Sequence, residues 1–329
     1  MRHDPPFRAE HIGSLLRPPA LLAARQSFDA KQLSPKALRE VEDRWIREAV
    51  RLQERVGLQA VSDGEYRRVI YFGHFPAAVR GFTEMESEIA FQDAAGRTLG
   101  YRTPVVTGKL ERVKGIATDE FTFVRGLTSR TVKVTLPSPC SQHFFRWREG
   151  VSEQAYPDLD EFFADVARVY REELAELGRL GATYVQLDDV SLPLLCDPTH
   201  RASFARRGYD PDALVSRYVA VVNDALRARP PEITVGMHLC RGNNQGKWLG
   251  EGGYDFVAER IFTGLDLDVF FLEYDSPRAG SFEPLRHVPR ERRVVLGLVS
   301  SKTAALEAPA DLAKRIDEAS RFVPLDRLG

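Results

Sequence analysis

The residues best suited to chemistry stand two positions apart, at His238 and Cys240. They close a short apolar run, Ile233-Thr-Val-Gly-Met-His-Leu-Cys240, which follows Arg229-Pro-Pro-Glu and breaks into Arg241-Gly-Asn-Asn. Such a run reads as a buried strand. Alternate side chains of a strand share a face, so an imidazole and a thiol project side by side from its end. Together they suit Zn²⁺. A core cysteine beside a hydrogen-bonded histidine is the plainer reading of the same spacing. Glu273 ends a second apolar run, Phe270-Phe-Leu-Glu, and taken alone its plainer reading is a rim carboxylate paired with Arg278 or with a helix N-terminus. Asp188 ends Thr183-Tyr-Val-Gln-Leu-Asp-Asp189, Glu65 ends Leu58-Gln-Ala-Val-Ser-Asp-Gly-Glu65, and Ser14 ends Ala9-Glu-His-Ile-Gly-Ser14. For Asp188 the plain alternative is a helix N-cap, and for Ser14 a turn hydroxyl.

Each of these groups needs a strand to carry it, and seven strand-like runs occur in order: 9–14, 58–65, 131–139, 183–189, 233–240, 268–274 and 293–300. Between them lie helical patterns. One starts at the Ser34 N-cap with Pro35 at its first position and runs to about Gly57. Others span 159–180, where Phe162, Val166, Val169 and Leu174 make one apolar face, then 211–228, 253–263 and 311–322. Alternating strands and helices with near-continuous apolar strands predict a parallel sheet covered by helices. A polar residue stands at the C-terminal end of every strand: Ser14, Glu65, Ser138, Asp188, His238 with Cys240, Glu273 and Ser300. That pattern predicts an α/β (β/α)₈ TIM-type barrel with its site on one rim. A doubly wound sheet gathers ligands at a switch point instead, and no G-x-G-x-x-G or G-x-x-x-x-G-K-[ST] loop supports one. Residues 70–130, with Tyr71-Phe-Gly-His-Phe75, a Gly96 turn, Val105–Leu110 and Glu120–Val124, read as a β-rich excursion after the second strand. The eighth strand should begin at Val323–Gly329 and is expected to be missing, so 1–329 reads as one barrel.

Composition narrows the setting. The chain has 329 residues, 43% hydrophobic and 28% charged, with a net charge of −1. That is a globular composition with no basic balance for nucleic acid. Three cysteines make no disulfide scaffold, and with no signal-type N-terminus and no membrane-length apolar run, a reducing cytoplasm is expected.

The ordered set His11-Ile-Gly-Ser14, Asp63-Gly-Glu-Tyr-Arg-Arg68, Val185-Gln-Leu-Asp-Asp189, His238-Leu-Cys240, Leu272-Glu-Tyr-Asp275 and Val295-Leu-Gly-Leu-Val-Ser-Ser-Lys302 resembles the cobalamin-independent methionine synthase superfamily. It is most similar to the short single-barrel members and to the C-terminal catalytic barrel of the long ones. The resemblance implies zinc-dependent methyl transfer to a thiol such as homocysteine. It implies His238, Cys240 and Glu273 as metal ligands; the family's fourth ligand, a Cys on the eighth strand, has no counterpart. Ile12, Gly13, Ser14, Glu65 and Asp188 fall at its amino-acid contacts, with Asp188 also the catalytic candidate, and Arg102 falls where it contacts folate. Val299 stands where the family has a proton-donating His, leaving His74 and His143 as other imidazoles. The expected partners are thus a small thiol and a methyl donor, with methyltetrahydrofolate one candidate. Thiol addition to an epoxide, a barrel that binds thiol or metal without turnover, and a uroporphyrinogen-type decarboxylase are the rival readings. The last leaves His238 and Cys240 without a role.

Overall fold

The computed structural model describes residues 4–144 and 146–329. Six parallel strands form its central sheet: β1 (Ala60–Val61), β6 (Thr131–Pro137), β7 (Tyr184–Asp189), β8 (Thr234–Leu239), β9 (Val269–Glu273) and β10 (Arg293–Gly297). They pair strictly in chain order, each with the next. A doubly wound sheet would reverse direction at a switch point; this one does not. Between β1 and β6 the chain makes its excursion. Here β2 (Val79–Glu86) pairs antiparallel with β5 (Arg102–Arg112), and β3 (Phe91–Gln92) with β4 (Thr98–Leu99). The described residues thus hold a six-stranded parallel sheet, not a complete eight-stranded barrel. At the free edge of β10, Gly329 donates to Val294 O at 2.9 Å and Leu296 donates to Gly329 O at 3.0 Å, so the last residues start a parallel pairing there.

Local chemistry sets the long helices. Ser34 accepts from Ala37 N and caps Pro35–Arg55; Asp158 and Asp210 cap Leu159–Arg179 and Pro211–Leu226 through Asp160 N and Asp212 N. Gly181 takes the left-handed conformation (φ +88°) just past the second of these. The outward strand residues Val185, Leu187, Val235, Met237, Leu239, Phe270 and Leu272 pack with Phe162, Val166, Val169, Val222 and Phe262 of the helix layer in one core. The inward residues form a second cluster: Phe7, Ala60, Tyr184, Val269, Phe271 and Val295, with Ile12 against it. Among the described residues, no helix is long and apolar enough to cross a membrane.

Two expectations need correction. Residues 9–14 are not a strand. Their polar groups are taken by side chains of the sheet interior instead of a ladder: Lys133 bonds Glu10 at 3.0 Å and also the His11 carbonyl, and Gln186 bonds the Ile12 carbonyl at 2.9 Å. Glu120–Val124 lies in a helix, Thr118–Arg125. Asp119 and Glu120 suit its first turn, and Glu120 is drawn to Arg68 at 3.2 Å. Leu15–Pro18 is irregular, and Pro19 at the first helical position then opens a helix, Pro19–Asp29.

Candidate active site

Strand parity decides which side chains meet. On β7, Tyr184 faces the interior, so Gln186 and Asp188 do too. On β9, Val269 and Phe271 face inward, so Glu273 follows. On β8, a Cβ at Gly236 would meet the Phe271 ring at 2.3 Å, which places Gly236, His238 and Cys240 on the same inner face. Gly236 is therefore the space that Phe271 fills. Asp188 pairs with His238 across β7 and β8, and the β8–β9 register, ending at Leu239↔Leu272, continues to Cys240 opposite Glu273. Four polar groups thus rim an interior floored by Tyr184 and Phe271.

His238 Nδ1 lies 3.1 Å from Asp188 Oδ1. Burial works against a charge on His238, but Cys240 and Asp188 outweigh it and push its pKa up to about 10. Asp188 Oδ1 also accepts from Gln186 Nε2 at 2.6 Å. Its Oδ2 is buried, with no hydrogen-bond partner among the described residues. The capping role that Asp188 was the plain candidate for falls to Asp189, which faces the helix layer. It accepts from Leu192 N at 2.7 Å and from the Ser138 hydroxyl.

Glu65 is buried and holds a left-handed backbone (φ +58°), with its amide bonded to Asp63 Oδ1 at 2.9 Å. Burial raises its pKa and Arg68 opposes this. With Asp188 and Asp63 as negative neighbours the net is a rise to about 7. Arg68 is fixed by Glu120 and by Thr135 Oγ1 at 2.8 Å. Leu15 N donates to Gly64 O at 3.1 Å, which ties the Ile12–Ser14 turn to this loop. Ile12 is half-buried, while Gly13 and Ser14 are exposed at the mouth.

Glu273 carries its own set of partners. One carboxylate oxygen accepts from the amide of Arg241, the residue after Cys240; the other bonds Arg278 at 2.9 Å and Lys302 at 3.0 Å. Lys302 also bonds Asp275 at 2.7 Å. Arg102 lies on the exposed side of the hairpin, with its guanidinium bonded to Glu84 and Glu86. His143 turns into the helix layer, bonded to the Tyr218 hydroxyl at 3.0 Å, and burial pushes its pKa down to about 3. His74 is likewise depressed by burial, then by Arg68. Val299 is exposed.

The family described as cobalamin-independent synthase, catalytic domain, matches residues 7–329. The chain belongs to the cobalamin-independent synthase family. It is 39% identical over 325 residues to the uncharacterized protein YxjH of Bacillus subtilis, covering 98% of this chain and 85% of that one. A Listeria monocytogenes structure, provisionally assigned as a vitamin-B12-independent methionine synthase, superposes with a TM-score of 0.77 at 29% identity, covering 99% of this chain and 90% of that one. A B12-independent methionine synthase from Shewanella sp. W3-18-1, solved with selenomethionine, shares the fold: TM-score 0.71, 20% identity, 90% of this chain and 81% of that one.

Against the expectation of a metal, His238 and Cys240 fit in type and in face. A metal-binding histidine normally donates its other ring nitrogen to a carboxylate, as Asp188 allows here, and Cys240 lies beside it. The third candidate, Glu273, is opposite Cys240 in register but engaged by Arg278 and Lys302. Among the described residues, no three His, Cys, Asp or Glu side chains stand grouped as a metal site. Two residues escaped the sequence reading: Gln186, whose signal was its parity with Asp188, and Lys302, which lay within the Val295–Lys302 motif without an assigned role.

Proposed function

We propose that this chain transfers a methyl group to the thiol of homocysteine or a close α-amino thiol, as a methionine synthase-type enzyme. The observation that carries the reading is the cluster of Asp188, His238 and Cys240 on the inner face, with one buried Asp188 oxygen left unpaired and Glu65 close enough to feel the Asp188 charge. A buried carboxylate oxygen without a donor favours a ligand that brings one, and an ammonium brings three. Asp188 and Glu65 receive that ammonium, and the Ile12–Ser14 turn lies at the mouth beside them. Tyr184 and Phe271 close the floor against water. Zinc, held by His238 and Cys240 with Glu273 as third donor, would convert the bound thiol to a nucleophilic thiolate at neutral pH. The strictly sequential parallel pairing of β1 and β6 to β10, with the last residues starting a further pairing at β10, supports a single catalytic unit built as a (β/α)₈-type barrel.

The acceptor half is better supported than the donor half. Arg102 is committed to Glu84 and Glu86, and Val299 offers no proton. These two observations keep a second reading open, in which the same activated thiol attacks another alkyl donor such as an epoxide. The test measures bound zinc in the purified protein and in a His238→Ala variant. It then follows methionine formation by mass spectrometry from homocysteine and a panel of labelled methyl donors, methyltetrahydrofolate included. Zinc retained by the parent and lost by the variant, with labelled methionine formed, is the expected result. A parent that binds no zinc and makes no methionine sinks the proposal.

A further inference from the structure

Gln186 is fully buried on the inner face of β7, two residues before Asp188. Its Nε2 donates to Ile12 O at 2.9 Å and to Asp188 Oδ1 at 2.6 Å. Both partners are acceptors, so the amide can face them only with its nitrogen. Asp188 Oδ1 is thereby used twice, by Gln186 and by His238 Nδ1 at 3.1 Å. The carboxylate cannot turn without breaking both bonds, and its remaining buried oxygen, Oδ2, is the one left for a ligand. The same amide fixes the segment entering the Ile12–Ser14 turn, whose preceding carbonyl, on His11, is taken by Lys133.

We propose that Gln186 is a positioning residue that selects ligands carrying an α-ammonium. It holds Asp188 with Oδ2 presented to that ammonium and fixes the turn bordering the ligand in the same act. This rests on the reading of Asp188 as the ammonium acceptor. Without Gln186, one donor of Oδ1 and the anchor of Ile12 are lost together. Asp188 is then free to present either oxygen or neither.

The test compares calorimetric binding of homocysteine with that of 4-mercaptobutanoate, which has the same thiol and carboxylate and no amine, in the full chain and in Gln186→Met. The parent should prefer homocysteine. The variant should lose about tenfold or more of that preference while binding 4-mercaptobutanoate within about twofold of the parent. A variant that keeps the preference, or loses both ligands equally, overturns the proposal and leaves Asp188 as the acceptor. A parent with no preference overturns the Asp188 reading and this proposal with it. A measurement on the unaltered protein guards against a variant that does not fold. The Gln186 side-chain amide protons should gain exchange protection with homocysteine and not with 4-mercaptobutanoate; equal protection with both overturns the proposal.

Discussion

At Asp188 one carboxylate serves two purposes with two oxygens. Oδ1 bonds His238, and Oδ2 is the buried oxygen proposed to receive the ligand's ammonium. Asp188→Asn keeps the size and replaces one oxygen with a donor group, so homocysteine binding should weaken by about 1.5–3 kcal/mol, the worth of a charge-assisted hydrogen bond. Bound zinc should persist. Calorimetry and metal analysis on one preparation check both; undiminished affinity refutes the role. Glu65 makes a separate prediction about pH. Burial raises its folded pKa to about 7, above the ordinary glutamate value of 4.5. The folded state therefore holds its proton more tightly than the unfolded chain between about pH 4.5 and 7. Stability attributable to Glu65 is greatest below that window and falls as pH rises through it. Glu65→Gln removes this contribution, so the parent should lose stability relative to the variant from pH 4.5 to 7 in urea titrations. A constant difference between the two across that range would refute the assignment.

At the scale of elements, a buried acid is among the groups that tie the excursion to the helix layer. Glu173 lies on the inner side of Leu159–Arg179 and is fully buried. It accepts from Arg112 at 2.7 and 2.9 Å and from the amides of Ile116 and Ala117 at 2.9 and 2.8 Å. One side chain therefore joins the end of β5 and the start of Thr118–Arg125 to the helix layer. Glu173→Ala leaves two amides and a guanidinium without their acceptor and should destabilise the protein by about 3 kcal/mol or more, read from the urea midpoint. Faster amide exchange at Ile116 and Ala117 should accompany it. The helix itself was legible from its apolar spacing, but Glu173 on its buried face was not. Periodicity registers where a side chain points, and the partners that make a buried charge tolerable come from residues about sixty positions away. Glu120–Val124 was misread for a related reason. Phe and Val suit a strand, yet Glu120 is drawn to Arg68, and Phe121 and Val124 are buried on the inner side of a helix.

Across the whole molecule, the N-terminal segment is threaded into the sheet interior by a buried ion pair, Glu10 with Lys133 at 3.0 Å, with the Tyr184 hydroxyl at 3.1 Å from Glu10. Breaking such a pair leaves an unpaired buried charge, so Lys133→Met should cost about 3–5 kcal/mol. It should also release residues 7–14, raising amide exchange at Leu15 and weakening homocysteine binding through the loosened turn. Destabilisation with unchanged exchange at Leu15 would place the effect elsewhere. The sequence alone determined the chain order of six of the seven expected strands, the long helices with the Ser34 cap of one of them, and the presence of polar residues at strand ends. These follow from local propensity and from the two-residue and 3.6-residue periods, which are properties of short stretches. The period of two also implied that His238 and Cys240 share a face. Tertiary structure alone decided that Asp188 rather than Asp189 faces His238, that Gln186 ties Asp188 to Ile12, and that Glu273 sits between Arg278 and Lys302. Which of two neighbouring acids faces inward depends on the register of the whole sheet, and a hydrogen bond between residues 174 positions apart leaves no periodic trace in either segment.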